Sequence, residues 1–296
     1  MLEHLVIDAS IPTRVVIMGA GGFLGSAMAN HMKHKGIPVL GLTRETLNLL
    51  EMDAPQKLAG ILRPDDTLVV VSAMAPCKDN MMLIQNIMMM AAVCSAIEKT
   101  MPAHVVYISS DAVYADDTKP LTEDSCAEPS SLHGVMHLAR EIMLKGSCGA
   151  PLAILRPSLI YGAADTHNGY GPNQFRRLAA EGKDIVLFGE GEEQRDHVYI
   201  DDVAEIVKLV ILHKSKGTLN VATGNVASFW EVAEMVASHF NPPPTIKTTA
   251  RKGPMPHRGY RVFDITACRK TFPDFNYVPL VEGLAKAHND MIKYLQ

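Results

Sequence analysis

The segment RVVIMGAGGFLGSAMANHM, residues 14–32, constrains the fold more than any other. A short β-branched run ends in Gly19-x-x-Gly22-x-x-Gly25, and helical periodicity follows directly. Glycine at such positions permits a tight turn, a close backbone approach to a pyrophosphate, and close packing of helix on strand. The helix that begins near Phe23 and Leu24 offers amide donors and the positive end of its dipole to an anion. The same glycines could make an ordinary turn. Their place between a strand and a helix, with a further strand beyond, points instead to a dinucleotide-binding β-α-β unit.

The rest of the chain repeats the alternation. IPVLGLT (37–43), TLVVVSAM (67–74), HVVYISS (104–110) and PLAILRP (151–157) are apolar runs of strand length, separated by helical stretches. Apolar strands alternating with helices make a parallel sheet covered on both faces. The reading is an α/β chain: a Rossmann-type doubly wound parallel sheet with a smaller C-terminal substrate-binding domain. We place the Rossmann domain at 1–165, with part of 195–222 returning to it, and the substrate domain mainly at 166–296. With 296 residues, 47% of them hydrophobic, both cores are large enough to be stable.

The formal net charge of −4 gives no global attraction to nucleic acid or to an anionic membrane, so neither is expected as a partner. Cys77, Cys94, Cys126, Cys148 and Cys268 are odd in number and contain no C-x-x-C, which reads as reduced thiols in a cytoplasmic protein. The N-terminal MLEHLVIDASIP has no basic region ahead of an apolar run and does not read as a signal peptide. Met81–Ile97 is the most apolar segment. Gln85 and Asn86 interrupt it and it falls short of a comfortable membrane span, so we expect a helix buried on several sides.

Cofactor choice is written after the second strand. NAD binders usually place an acidic residue there for the ribose 2′-hydroxyl, whereas GLTRETLN has Thr43 and Arg44. A hydroxyl and a guanidinium accept a 2′-phosphate. NADP(H) is expected, with NAD possible; a solvated Arg44 is the plainer alternative.

These pieces together resemble the extended short-chain dehydrogenase/reductase family, in its sugar-nucleotide epimerase, dehydratase and reductase group. The similarity runs through the glycine motif, LVVVSAMA, YISSDAVYA, PLTEDSCAEPSSLHGVMHLARE, LRPSLIYG, GPNQF, LFGEGEEQRDHVYIDDVA, LNVATG and RGYRVFDITACRK. The resemblance implies that Asn48 and Leu49 lie near adenine, and that Ser72, Ala73 and Met74 line the cofactor beyond the third strand. It implies that Asn86 braces the active-site strand, that Ser110 holds the catalytic serine position with Asp111 beside the substrate, and that Pro157, Ser158 and Leu159 pass the nicotinamide carboxamide. Asn173 and Phe175 would contact the sugar nucleotide, Leu187 and Phe188 its base, and Arg195 and Arg258 its diphosphate. Each arginine could instead pair with an adjoining acid such as Asp196 or Asp264.

The family's catalytic pair is Tyr-x-x-x-Lys on the helix after the fourth strand. Here SLHGVMHLAR puts His133 and His137 at those positions. Three readings follow. His133 can serve as general acid or base beside Ser110, with His137 on the cofactor ribose. Alternatively the chemistry is lost, and the chain is a catalytically silent nucleotide or sugar-nucleotide binder with a regulatory or scaffold role. Third, two histidines at i, i+4 have zinc-ligand spacing, with Asp111 as a third ligand, but no glutamate follows the first histidine and we expect no metal. His104, His167, His197 and His257 read as surface or core residues. Tyr114 and Tyr161 could supply a phenol, but packing residues with satisfied hydroxyls are the better reading.

The expectation is therefore an NADP(H)-dependent oxidoreductase or epimerase acting on a nucleotide-activated sugar, most simply a keto-sugar reductase. In the resembled family the Met-rich helix and the histidine helix often pair across a two-fold axis, which implies a homodimer.

Overall fold

The computed structural model describes residues 1–295. Six parallel strands form the main sheet: β1 (Arg14–Met18), β2 (Val39–Leu42), β3 (Asp66–Val70), β4 (His104–Ile108), β5 (Leu152–Pro157) and β9 (Gly217–Val221). Their spatial order is β2-β1-β3-β4-β5-β9. The chain reverses its direction of travel between β1 and β3, and a ligand cleft opens at the carboxyl ends of strands at such a point. Val15–Ile17, Leu68–Val70 and Val105–Val106 are all fully buried, as a two-sided parallel sheet requires.

Helices α1 (Phe23–His34), α2 (Ala54–Ile61), α3 (Asn80–Lys99), α4 (Leu132–Ser147) and α6 (Ile200–Leu212) cover this sheet. One core gathers Met28, Met32, Val203 and Val207 from α1 and α6. Another gathers Leu58, Met90, Val93, Ile97 and Leu144 from α2, α3 and α4. Asp79 caps α3 by accepting from the Met82 amide, and Ser131 caps α4 by accepting from the Gly134 amide.

The helix α3 corrects an expectation. It is buried on its inner face only, because Met81, Ile84 and Met88 are exposed at 62%, 50% and 53%. At 20 residues it is long and apolar enough to cross a membrane by composition, yet it packs in this fold against α2 and α4.

The remaining elements follow β5 in the chain, and only some of them contribute residues to the cleft. They are β6 (Leu159–Tyr161), α5 (Pro172–Ala180), β7 (Ile185–Phe188), β8 (Gln194–Tyr199), β10 (Val226–Ser228), α7 (Phe229–Ala237), β11 (Ile246–Thr249), β12 (Tyr260–Arg261), α8 (Thr266–Thr271) and α9 (Leu280–Leu295). β8 pairs with β6, β10 and β12, and β7 pairs with β11. Leu121 bridges to Phe263, which ties the loop after β4 to the late chain.

Candidate active site

A cleft of about 980 Å³ runs from the glycine turn, past the ends of β3 and β4, to β8. At one end Gly19 adopts φ +91°, and a Cβ there would lie 2.8 Å from the Ser72 backbone. A Cβ on Gly25 would collide with the Gly19 carbonyl. Gly22 caps α1 without a side-chain hydrogen bond, so the first-turn amides of Phe23, Leu24 and Gly25 keep no side-chain partner while these residues line the cleft. A backbone cradle at an uncapped helix N-terminus fits a dinucleotide pyrophosphate.

Thr43, Arg44, Asn48 and Leu49 line the next portion, as expected. Thr46 Oγ1 accepts from the Thr43 amide at 2.9 Å and donates to its carbonyl, which shapes the rim. Glu45 lines the same rim, so a carboxylate stands beside the guanidinium there. Ser72, Ala73 and Met74 form the wall beyond β3. Asn86 braces that wall: its Oδ1 accepts from the Met74 amide at 2.9 Å, and its Nδ2 donates to the Met74 carbonyl at 3.0 Å.

Ser110, Asp111, His133 and His137 line the same cleft, as do Pro157, Ser158 and Leu159. His133 Nδ1 accepts from the Cys77 amide at 3.4 Å, which leaves the proton of the neutral ring on Nε2. Burial holds the His133 pKa below the ordinary histidine value, against the pull of Asp111, and His167 adds to the depression. His137 lies deeper, with Nδ1 2.9 Å from the Tyr107 hydroxyl. Burial, then His133 and Arg140, push its pKa far below the ordinary value. Both imidazoles are therefore neutral near pH 7.

Asp111 is held by Arg261, whose Nε donates to it at 2.9 Å, with Arg195 at 3.6 Å. Its burial would raise its pKa, but the charges of Arg261, Arg195 and His257 outweigh that and the net shift is downward. The third ligand that a zinc site would need is thus already ion-paired.

Four expected substrate contacts lie elsewhere. Phe175 and Leu187 are fully buried in the core, where Phe175 packs edge-to-face on Tyr170. Alternation along β7 turns Phe188 outward to 49% exposure, and it borders the cleft only through Tyr170. Arg258 sits at φ +53°, exposed and off the cleft; Arg261, three residues on, is the buried one. Asn173 does line the cleft, but its amide serves the Gly162 amide and the Ile160 carbonyl. Arg195 lines the cleft and pairs with Asp111 and Glu193 rather than Asp196.

Neither alternative phenol is available. Tyr114 donates to Asn220 at 2.7 Å and accepts from Arg156 at 2.8 Å. The buried Tyr161 hydroxyl lies off the cleft against Gly283 and has no partner among the described residues. Sequence reasoning missed three residues that the structure brings to this site. His167 lines the cleft, and Tyr107 and Arg140 stand directly behind His137. Arg140 follows His133 and His137 at i+7 and i+3 on one helix face, a spacing that could have flagged it.

Comparisons with known proteins agree with this geometry. A family model described as the NAD dependent epimerase/dehydratase family matches residues 15–222. The chain is 27% identical over 234 residues to the spore coat polysaccharide biosynthesis protein SpsK of Bacillus subtilis (strain 168), covering 76% of this chain and 78% of that one. It is 31% identical over 152 residues to dTDP-L-rhamnose 4-epimerase of Burkholderia thailandensis, covering 48% of this chain and 40% of that protein. Among solved structures, UDP-glucuronic acid 4-epimerase from Bacillus cereus, in complex with UDP-glucuronic acid and NAD, superposes with a TM-score of 0.82 at 20% identity, over 96% of this chain and 100% of that one. At that identity the likeness is one of fold.

Proposed function

The chain belongs to the NAD-dependent epimerase/dehydratase family, and from that premise we propose that it binds a nicotinamide dinucleotide and acts on a nucleotide-activated sugar, most simply as a keto-sugar reductase. The observation that carries this reading is the single cleft that joins the glycine turn to Ser110, His133 and His137 and ends at Arg195. The relatives named for nucleotide-sugar epimerisation support the substrate class.

The glycine turn and the first turn of α1 would hold the pyrophosphate, and His137 the ribose. The nicotinamide, when bound, supplies a reversible hydride donor or acceptor. His133 and Ser110 both line the cleft, and the His133 Nε2 proton would serve a sugar oxygen bound there. A ground-state donor suits a keto oxygen, and this favours a keto sugar as the bound species. Ser110 would orient the same oxygen, and Arg195 would meet the anionic diphosphate. Thr43 and Arg44 support NADP(H) over NAD.

One observation favours the silent-binder reading as the second choice. No lysine lines the cleft among the described residues, so the residues facing the ligands hold no fixed charge at the family's lysine position. Nicotinamide absorbance, followed while purified protein meets a panel of nucleotide sugars, separates the two. Net hydride transfer supports the reductase; tight binding with neither an absorbance change nor an altered sugar product supports the silent binder, since an epimerase returns its hydride but changes the sugar.

We also propose a homodimer through α3 and α4, which expose Met81, Ile84, Met88, Val135 and Ile142. Sedimentation at micromolar concentration should show a dimer, and Met88→Asp a monomer. A monomeric wild type contradicts the assembly.

A further inference from the structure

Behind His137 stand two groups that the proposed reaction does not yet use. Tyr107, on β4, is 1% exposed, and His137 Nδ1 is the one hydrogen-bond partner of its hydroxyl among the described residues. If His137 carried its proton on Nδ1, the phenol would have to accept that proton and bury its own without an acceptor. A buried donor left unmade is unfavourable, whereas a phenol donating to an imidazole nitrogen satisfies both groups. The hydrogen bond on one ring nitrogen fixes the proton on the other. The Tyr107 contact therefore places the His137 proton on Nε2, and His137 lines the cleft.

Arg140 lies one helical turn below. It is fully buried, yet no carboxylate lies within ion-pair range among the described residues. Its Nη2 donates to the Ser72 carbonyl at 2.7 Å, its Nη1 points at Met136 Sδ at 3.7 Å, and its Nε has no partner. The guanidinium stacks 5.4 Å from the centre of the Tyr107 ring. Burying an unpaired cation is expensive, and a chain keeps one where its charge has a use. Ser72, the residue it grips, is itself a wall of the cofactor cleft.

We propose that donor and charge are divided between two residues here: His137, held by Tyr107 as a neutral Nε2–H donor, takes the hydrogen bond to the cofactor, and Arg140 carries the fixed positive charge beneath it. Tyr107 and Arg140 are positioning residues. The titratable and charged groups that act on His137 are Tyr107 from β4 and His133 and Arg140 from α4. The burial of the ring, His133, and the fixed charge of Arg140 all oppose an imidazolium, which keeps the donor neutral. The reading of His137 toward the cofactor rests on the proposed function; the tautomer does not.

Two measurements test this. Long-range proton–nitrogen correlation spectra of histidine-labelled protein, with the His137 signals assigned by their loss in His137→Gln, report the tautomer without cofactor or substrate. The expected result is a single neutral Nε2–H form between pH 6 and 8, with Tyr107→Phe giving a mixture of tautomers. An Nδ1–H form in the wild type, or unchanged His137 signals in Tyr107→Phe, overturns the assignment. Arg140 is tested by the ratio of affinities for oxidised and reduced dinucleotide. Removing a fixed cation relieves repulsion of the positively charged oxidised ring, so Arg140→Met should shift the ratio toward the oxidised form by about threefold or more. Arg140→Lys should keep the wild-type ratio. An unchanged ratio in Arg140→Met overturns the charge role. A protein that shows the Nε2–H tautomer and the ratio shift but turns over no nucleotide sugar would contradict the proposed reaction alone.

Discussion

Arg156 grips Glu141 with two parallel hydrogen bonds, Nε to Oε1 at 2.9 Å and Nη2 to Oε2 at 2.6 Å, and both residues are buried. The pair ties α4 to β5. Ser109 donates to the same Oε1 at 2.6 Å and brings in the end of β4. The helix that carries His133 and His137 is thereby locked to the strand that precedes Ser110. Glu141→Gln keeps the shape but leaves the Arg156 charge buried and unpaired. We expect a loss of about 3–5 kcal/mol in urea unfolding, the range for breaking one partner of a buried pair. A loss under about 1 kcal/mol would show that water reaches the site.

Cofactor selectivity is expected to follow Arg44. The side chain is exposed at the cleft rim, so its contact with a 2′-phosphate is partly screened. Arg44→Ala should weaken NADPH binding by on the order of 1–2 kcal/mol and leave NADH nearly unchanged. Titration of both proteins with both cofactors is the check. Equal affinities in the wild type would contradict the NADP(H) assignment, and tighter binding of NADH would assign the rim to the Glu45 carboxylate.

A buried histidine should cost the fold stability as the pH falls below neutrality. His104 is buried, with Nε2 2.7 Å from the Ser215 carbonyl and Nδ1 unpartnered, and burial lowers its pKa from 6.5 to about 4. Between these two values the unfolded chain takes up a proton that the folded chain refuses. The stability that this histidine contributes is complete above pH 6.5 and falls as the pH drops toward 4, by on the order of 3 kcal/mol in all. His197, buried and lowered to about 3, acts in the same direction. Asp202 opposes them, because burial raises its pKa to about 6 and the folded chain takes up a proton there that the unfolded carboxylate takes up only near 3.8. The part of His104 is therefore read from the difference between the two proteins: between about pH 7 and 4.5, His104→Gln should lose less stability than the wild type, and identical slopes would contradict this.

Much of this was legible in the sequence, because local rules dominate where the chain must turn or cap. The glycine turn, the strand pattern and the Ser131 cap obey spacing rules that need no tertiary partner. Asn86, and the Ser72–Met74 wall that it braces, came from matching segments in order. Illegible were the residues whose role depends on what faces them. Phe175 and Leu187 were assigned to the ligand but fill a core, since an apolar side chain in a short element serves either equally well. Arg258 and Arg261 stand three residues apart, and only a left-handed backbone at His257 and Arg258 decides which turns inward. Tyr107 stands in an apolar strand run and Arg140 on a helix, and neither segment alone says that the two face His137.

The proton donor is the centre of the account, and single-turnover hydride transfer on His133→Ala tests it most directly, with cofactor and a turned-over nucleotide sugar both saturating. Loss of a positioned acid should lower the rate by about 10²-fold or more, while cofactor affinity, set at the glycine turn, changes by less than about threefold. A His133→Ala protein that transfers hydride at the wild-type rate would contradict the assignment of the proton to His133.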